Sequence, residues 1–169
     1  MANVLNRATL EYRRSVNDPD YPAEDWIHQP DLSGVDGVPL YWWRIDGDAV
    51  REATDAEKQA DIELHRARVI RALKIAVNEY GAAHYSERDE MRLSARLEEA
   101  YREGLTNRAA YIQTAMDWRD EVLATYGQRA AAVMAATTIG ALDAVSLDFS
   151  SHDASDPHVD LTTALGITN

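Results

Sequence analysis

The chain has 169 residues, no cysteine and a formal net charge of −12. Its length suffices to bury a core without cross-links, and without thiols neither disulfides nor thiolate metal sites arise. The acidic balance opposes nucleic-acid binding, which needs cations to neutralise phosphates. No apolar run reaches the roughly 20 residues that span a bilayer, and the N-terminus lacks the apolar core of a signal peptide.

Two unlike parts follow one another. Residues 6–50 hold Trp26, Trp42 and Trp43, and also Pro19, Pro22, Pro30 and Pro39. Residues 1–15 carry Val4, Leu5, Leu10 and Tyr12 among arginines, a pattern that leaves strand and helical turn open. Asn17-Asp18-Pro19-Asp20-Tyr21-Pro22 is turn chemistry, because proline sets φ and Asx side chains bond to nearby backbone. The prolines exclude a long helix, so the path to Pro39 is expected to be extended, with Trp26 and Ile27 as its anchor. Residues 40–45 are rich in strand formers, Asp46-Gly47 is a two-residue turn signal, and residues 48–52 return antiparallel. On such a strand Tyr41 and Trp43 share one face and Trp42 takes the other. An isolated hairpin is marginal, so this one needs cover from its own helices or from a partner.

The remainder reads as helix. Thr54-Asp55-Ala56-Glu57 is a capping box, opening a helix expected to run to about Tyr80 and stop at Gly81. Ile62, Val69, Ile70, Leu73, Ala76, Val77 and Tyr80 follow helical spacing. Ser86 opens a second helix, ending at Gly104. Thr106 is expected to cap a third, with Tyr111, Ala115, Trp118, Val122 and Tyr126 as its core stripe and Gly127 as its stop. A fourth, alanine-rich segment covers residues 128–144, its small side chains suiting close approach within the chain or between copies. Residues 147–160 read as a polar loop or poorly ordered linker, and residues 159–167 as a short final element that docks. No internal repeat is visible. The expected fold class is therefore α+β, mostly α. Its parts are a small N-terminal extended/β-hairpin module (1–53), an antiparallel helical bundle of about four helices (54–145), and a polar loop with a C-terminal tail (146–169).

Few residues have the makings of chemistry. His152, Asp153, Asp156, His158 and Asp160 are metal-ligand types, yet they match no known loop spacing and read as a solvated acidic loop. The pairs Asp18/Asp20 and Asp46/Asp48 sit beside Pro and Gly and read as turn residues, not as an acid–base pair. No nucleophile-elbow, metalloprotease or phosphate-loop pattern occurs. Arg66, Arg68, Arg71 and Lys74 read as a solvated helix face with Glu63 a turn away. The aromatics Tyr21, Trp26, Tyr41, Trp42 and Trp43, with Ile27, are the candidate partner-binding residues. Trp and Tyr concentrate at interface hot spots, and one thin hairpin cannot cover aromatics on both its faces. No catalytic residue, cofactor or metal site is expected, and the chain is not expected to be an enzyme.

These same residues carry a resemblance. Asn6-Arg7, Tyr12, Ser15-Val16-Asn17, Asp18-Pro19-Asp20-Tyr21-Pro22, Asp25-Trp26-Ile27, Pro30-Asp31-Leu32-Ser33, Gly37-Val38-Pro39, Tyr41-Trp42, Gly47-Asp48 and Glu57-Lys58 together resemble a recurring N-terminal module of small tailed-bacteriophage and prophage virion-associated proteins. The resemblance covers about residues 3–62. It implies a virion component in the neck, tail or fibre region, or a head decoration, made in the host cytoplasm during assembly. The implied partners are other tail, neck, fibre or capsid subunits and further copies of itself, with no nucleic acid or membrane. The rival readings are a transient tail-fibre assembly chaperone and, behind it, a metal-dependent enzyme.

Overall fold

The computed structural model describes residues 2–167. It is α+β and mostly α, with a small antiparallel strand region followed by helices. The chain divides into two compact units, residues 2–61 and 62–167.

The first unit is built from short strands. β1 (Ala2–Asn6), β2 (Tyr12–Val16) and β3 (Trp26–His28) form an antiparallel sheet in the order β2-β1-β3. Residues 2–16 are thus a β-hairpin, not a helical turn. Its bend is held by Asn6, whose side-chain oxygen accepts from the Ala8 and Thr9 N–H groups at 2.9 and 2.8 Å. The register shifts between Ala2 and Val4. Ser15 takes up the extra residue at φ +53° and donates its N–H to Asn3 Oδ1, as expected of a β-bulge. Val4 and Leu5, on opposite faces of the central strand, are both fully buried.

The second hairpin pairs β4 (Trp43–Asp46) with β5 (Ala49–Glu52). Residues 40–42 form a 3-10 turn instead of extending the strand, so the alternation expected of Tyr41, Trp42 and Trp43 does not occur. The hairpin loop is Gly47-Asp48, one residue later than expected, because Asp46 still pairs with Ala49. Gly47 supplies the positive φ of +62° that the loop requires. Leu5, Ile27, Val35 and Val50 form the core of this unit, with Tyr12, Leu32, Val38, Trp43 and Ile45 packed around it.

The capping box forms as read: Thr54 Oγ1 accepts from the Glu57 N–H, and Glu57 Oε2 accepts from the Thr54 N–H at 2.7 Å. Arg51 grips the same carboxylate at 2.7 and 2.9 Å and, with the Thr54 contacts, holds it well below the usual carboxylate range. The helix it opens, α1 (Asp55–His84), passes straight through Gly81. α2 (Glu87–Glu103) starts at the Ser86 cap and ends on Gly104 at φ +71°. α3 (Thr106–Ala135) passes through Gly127, so residues 128–135 of the expected fourth helix are its last turns. Leu105, not Thr106, is the N-cap, and it makes no side-chain cap bond. Only α4 (Ile139–Asp143), capped by Thr138, stands apart. A lone interior glycine costs about 1 kcal/mol relative to alanine. That is too little to stop α3, which buries Trp118 and Val122 before Gly127 and Val133 after it.

The core of the second unit gathers Leu73, Val77, Tyr85, Leu93, Ile112, Trp118 and Val122 from the helices, and Phe149, Val159 and Ala164 from the C-terminal segment. The stretch read as a polar loop or poorly ordered linker is therefore docked. It contains a 3-10 helix (Ser150–Ser155) and leads into α5 (Leu161–Gly166), whose N-cap is Asp160.

Candidate docking surface

Of the candidate residues only Ile27 is buried; Tyr21, Trp26, Trp42 and Trp43 are half-buried and Tyr41 is exposed, and they differ in whether they pack on the unit's core. Ile27 is 3% exposed and lies in the unit's own core, so it supports the surface from below. Trp43 packs against that core and donates its indole N–H to the Val38 carbonyl at 2.9 Å. Both serve the scaffold. Tyr21, Trp26, Tyr41 and Trp42 lie outside the core and reach solvent.

These four form two edge-to-face pairs, Tyr21–Trp26 and Tyr41–Trp42, each with ring centroids 4.9 Å apart. Each pair is flanked by a cation that was not among the candidate partner-binding residues. The Arg13 guanidinium lies 5.6 Å from the Trp26 ring centroid and 5.8 Å from that of Tyr21. It also donates to the Tyr21 hydroxyl at 3.1 Å and to Glu11 at 2.8 Å. Lys58 Nζ stands 5.9 Å from the Trp42 ring, held by Glu52 at 2.5 Å. The Glu11 carboxylate, then the Tyr21 hydroxyl, raise the Arg13 pKa, and Glu52 raises that of Lys58, so both cations stay charged throughout the physiological range. A cation near an aromatic face contributes about 0.5–1 kcal/mol at exposed sites. That is enough to select a ring orientation without hiding the ring from a partner. Both cations come from other elements, β2 and α1, so no local sequence pattern links them to the rings they flank.

A cleft of about 470 Å³ opens beside Trp26, lined by Arg7, His28, Gln29, Asp31 and Asp48 among others. Arg7 braces its edge by bonding to the Ala23 and Gly47 carbonyls and to Asp48. Asp48 is thus occupied structurally. Asp20 accepts from Asn17 within its turn; the Asp18 side chain lies outside what the structure describes.

The residues that resembled metal ligands are taken up in the second unit's own contacts; Asp153 and Asp156 both meet His84, and His158 meets Asp156 at 3.2 Å. His152 meets Thr125 Oγ1 at 3.0 Å and accepts the Trp118 indole N–H on its carbonyl at 3.0 Å. Asp153 accepts from the Tyr80 hydroxyl at 2.7 Å. Asp156 accepts from Tyr85 and meets His84 Nδ1 at 2.6 Å, and Asp160 caps α5 through the Thr163 N–H at 2.7 Å. Among the described residues no group of three His, Cys, Asp or Glu is placed to hold a metal ion, and no helix is long and apolar enough to cross a membrane. Arg66, read as part of a solvated face, instead donates to the Val133 and Ala136 carbonyls at 3.3 and 2.8 Å. It thereby caps the C-terminus of α3, where cations are favoured. Comparison of the chain with protein-family models, with curated proteins and with solved structures gave no match.

Proposed function

We propose that this chain is a structural component of a tailed-bacteriophage particle, sited in the neck, tail or fibre region in preference to the head. It docks there onto a neighbouring virion subunit through the aromatic surface of its N-terminal unit. The resemblance of residues 3–62 to virion-associated modules supports the setting. One observation carries the docking role. Trp26 and Trp42 are held in defined edge-to-face pairs beside cations, yet they lie outside the core that closes the scaffold. Rigid, amphipathic aromatics on a preformed surface are what interface hot spots use, because little rotamer entropy is lost on binding. The reading assigns the chain no catalysis, cofactor or metal.

The test is incorporation. Trp26→Ala and Trp42→Ala remove rings that the scaffold core does not need, so the helical circular dichroism signal stays while the protein disappears from purified particles. Normal incorporation of both variants refutes the docking role. Mass spectrometry of wild-type particles separates a resident component from an assembly chaperone, which a finished virion lacks. Its copy number relative to the capsid protein distinguishes a head decoration from a neck or tail part.

A further inference from the structure

The second unit carries two exposed surfaces that the aromatic surface leaves unused, and their chemistry is complementary. One is a ridge of α1 formed by Leu64, Arg68, Arg71 and Ile75. Spacings of four, three and four residues place these on one helix face. Leu64 and Ile75 are 54% and 47% exposed, and among the described residues Arg68 and Arg71 make no ion pair. The ridge is about 17 Å long at 1.5 Å per residue.

The other surface is a groove. A cavity of about 390 Å³ lies among α1, α3 and the start of α2, with Val77, Gly81, Trp118 and Val122 in its lining. It continues into a second hollow of about 480 Å³ beside Met91 and Ala95 of α2, sharing Glu87, Glu90 and Arg119 with the first. The groove is open at Gly81, where a Cβ would meet nothing within 4 Å. Met91 and Leu123 are 63% and 45% exposed along it. Its rim is acidic. Glu87 and Glu98 make no ion pair among the described residues, and Glu90 meets Arg119 only at 3.4 Å. Glu87 and Glu90 are three residues apart on α2, as Arg68 and Arg71 are on α1.

We propose that a second copy of this chain occupies the groove, presenting its Leu64–Arg68–Arg71–Ile75 ridge. The two apolar ends would seat on the apolar floor, and the two guanidinium groups would meet the rim carboxylates. At a net charge of −12, copies repel one another overall, so association needs local complementarity of this kind. The contact joins different surfaces of the two partners. It therefore leaves a free ridge and a free groove at either end, and repeats into a ring or a filament.

Sedimentation velocity on the isolated chain tests this independently of particle incorporation. Wild-type mass is expected to rise with concentration. Arg68→Glu/Arg71→Glu and Glu87→Lys/Glu98→Lys should each weaken association at least tenfold. An equimolar mixture of the two should restore it, because the reversed ridge of one matches the reversed groove of the other. Gly81→Leu, which fills the groove without opposing the helix, should weaken association as strongly, with circular dichroism confirming the fold. The proposal is overturned if the wild type stays monomeric up to millimolar concentration. Variants that associate as the wild type does, or a mixture that fails to recover, overturn it equally.

Discussion

Asp156 ties the C-terminal segment to the helices of the second unit. Its side chain is 4% exposed and meets His84 Nδ1 at 2.6 Å. It also accepts from the Tyr85 hydroxyl at 3.0 Å and from the His158 N–H at 2.9 Å, while Tyr85 accepts in turn from the Val159 N–H. Burial alone pushes the Asp156 carboxyl upward. The bonds from His84, the His158 N–H and Tyr85 outweigh it, so the group titrates below its ordinary range. Burial likewise pushes the Tyr85 hydroxyl to about 12, so it remains a donor at neutral pH. A carboxyl depressed in the folded state stabilises it fully above the unfolded value of about 4, and that contribution is lost as pH falls through the folded value. Asp156→Asn should therefore lower stability at pH 7 by about 1–3 kcal/mol. It should also flatten the decline in stability below about pH 4. Urea unfolding over a pH series checks both, and an unchanged acid limb would show that Asp156 contributes nothing to it.

At the scale of elements, helices α1 and α3 are set by long-range burial, and their ends by local capping chemistry. Thr54 and Ser86 cap as their sequence contexts predict, since a hydroxyl three residues before an acceptor or donor partner is a local arrangement. Gly104 ends α2 because it adopts the left-handed conformation and returns its N–H to the Ala100 and Tyr101 carbonyls. Gly81 and Gly127 do neither; both sit in helical backbone with open space where a Cβ would go. Gly81→Ala and Gly127→Ala should accordingly each raise stability by about 0.4–1 kcal/mol, by restricting the unfolded chain. Thermal unfolding should show a higher midpoint for each. A lower midpoint would mean that the helix is interrupted at that residue.

For the whole molecule, the decisive feature is that the last stretch of chain belongs to the core of the second unit. Phe149 is 2% exposed, with the Arg129 guanidinium 4.4 Å from its ring centroid, and Val159 and Ala164 are buried in the same cluster. Removing residues 145–169 should uncover Trp118 and Tyr85. Truncating one buried aromatic costs about 3–5 kcal/mol, and this deletion takes out Phe149 together with Val159 and Ala164. Loss of cooperative unfolding and gain of dye binding are expected; a cooperative, dye-negative truncation would refute the assignment. Composition and periodicity were enough for the mostly helical α+β class, the Thr54 and Ser86 caps and Trp118 as a core residue, because each depends on local spacing or local hydrogen bonds. They did not reveal that residues 147–160 pack against the helices. Isolated Phe149 and Val159 in a polar stretch show no period, and their burial depends on partners about 30 to 80 positions earlier. The aromatic surface was legible in the same partial way. The sequence alone marks Tyr21, Trp26, Ile27, Tyr41, Trp42 and Trp43 as a group, since large rings among prolines signal anchoring. Tertiary packing puts Ile27 in the core and Trp43 against it, and leaves the other four outside the core beside Arg13 and Lys58, because which side of a residue is covered is a property of the elements that close over it.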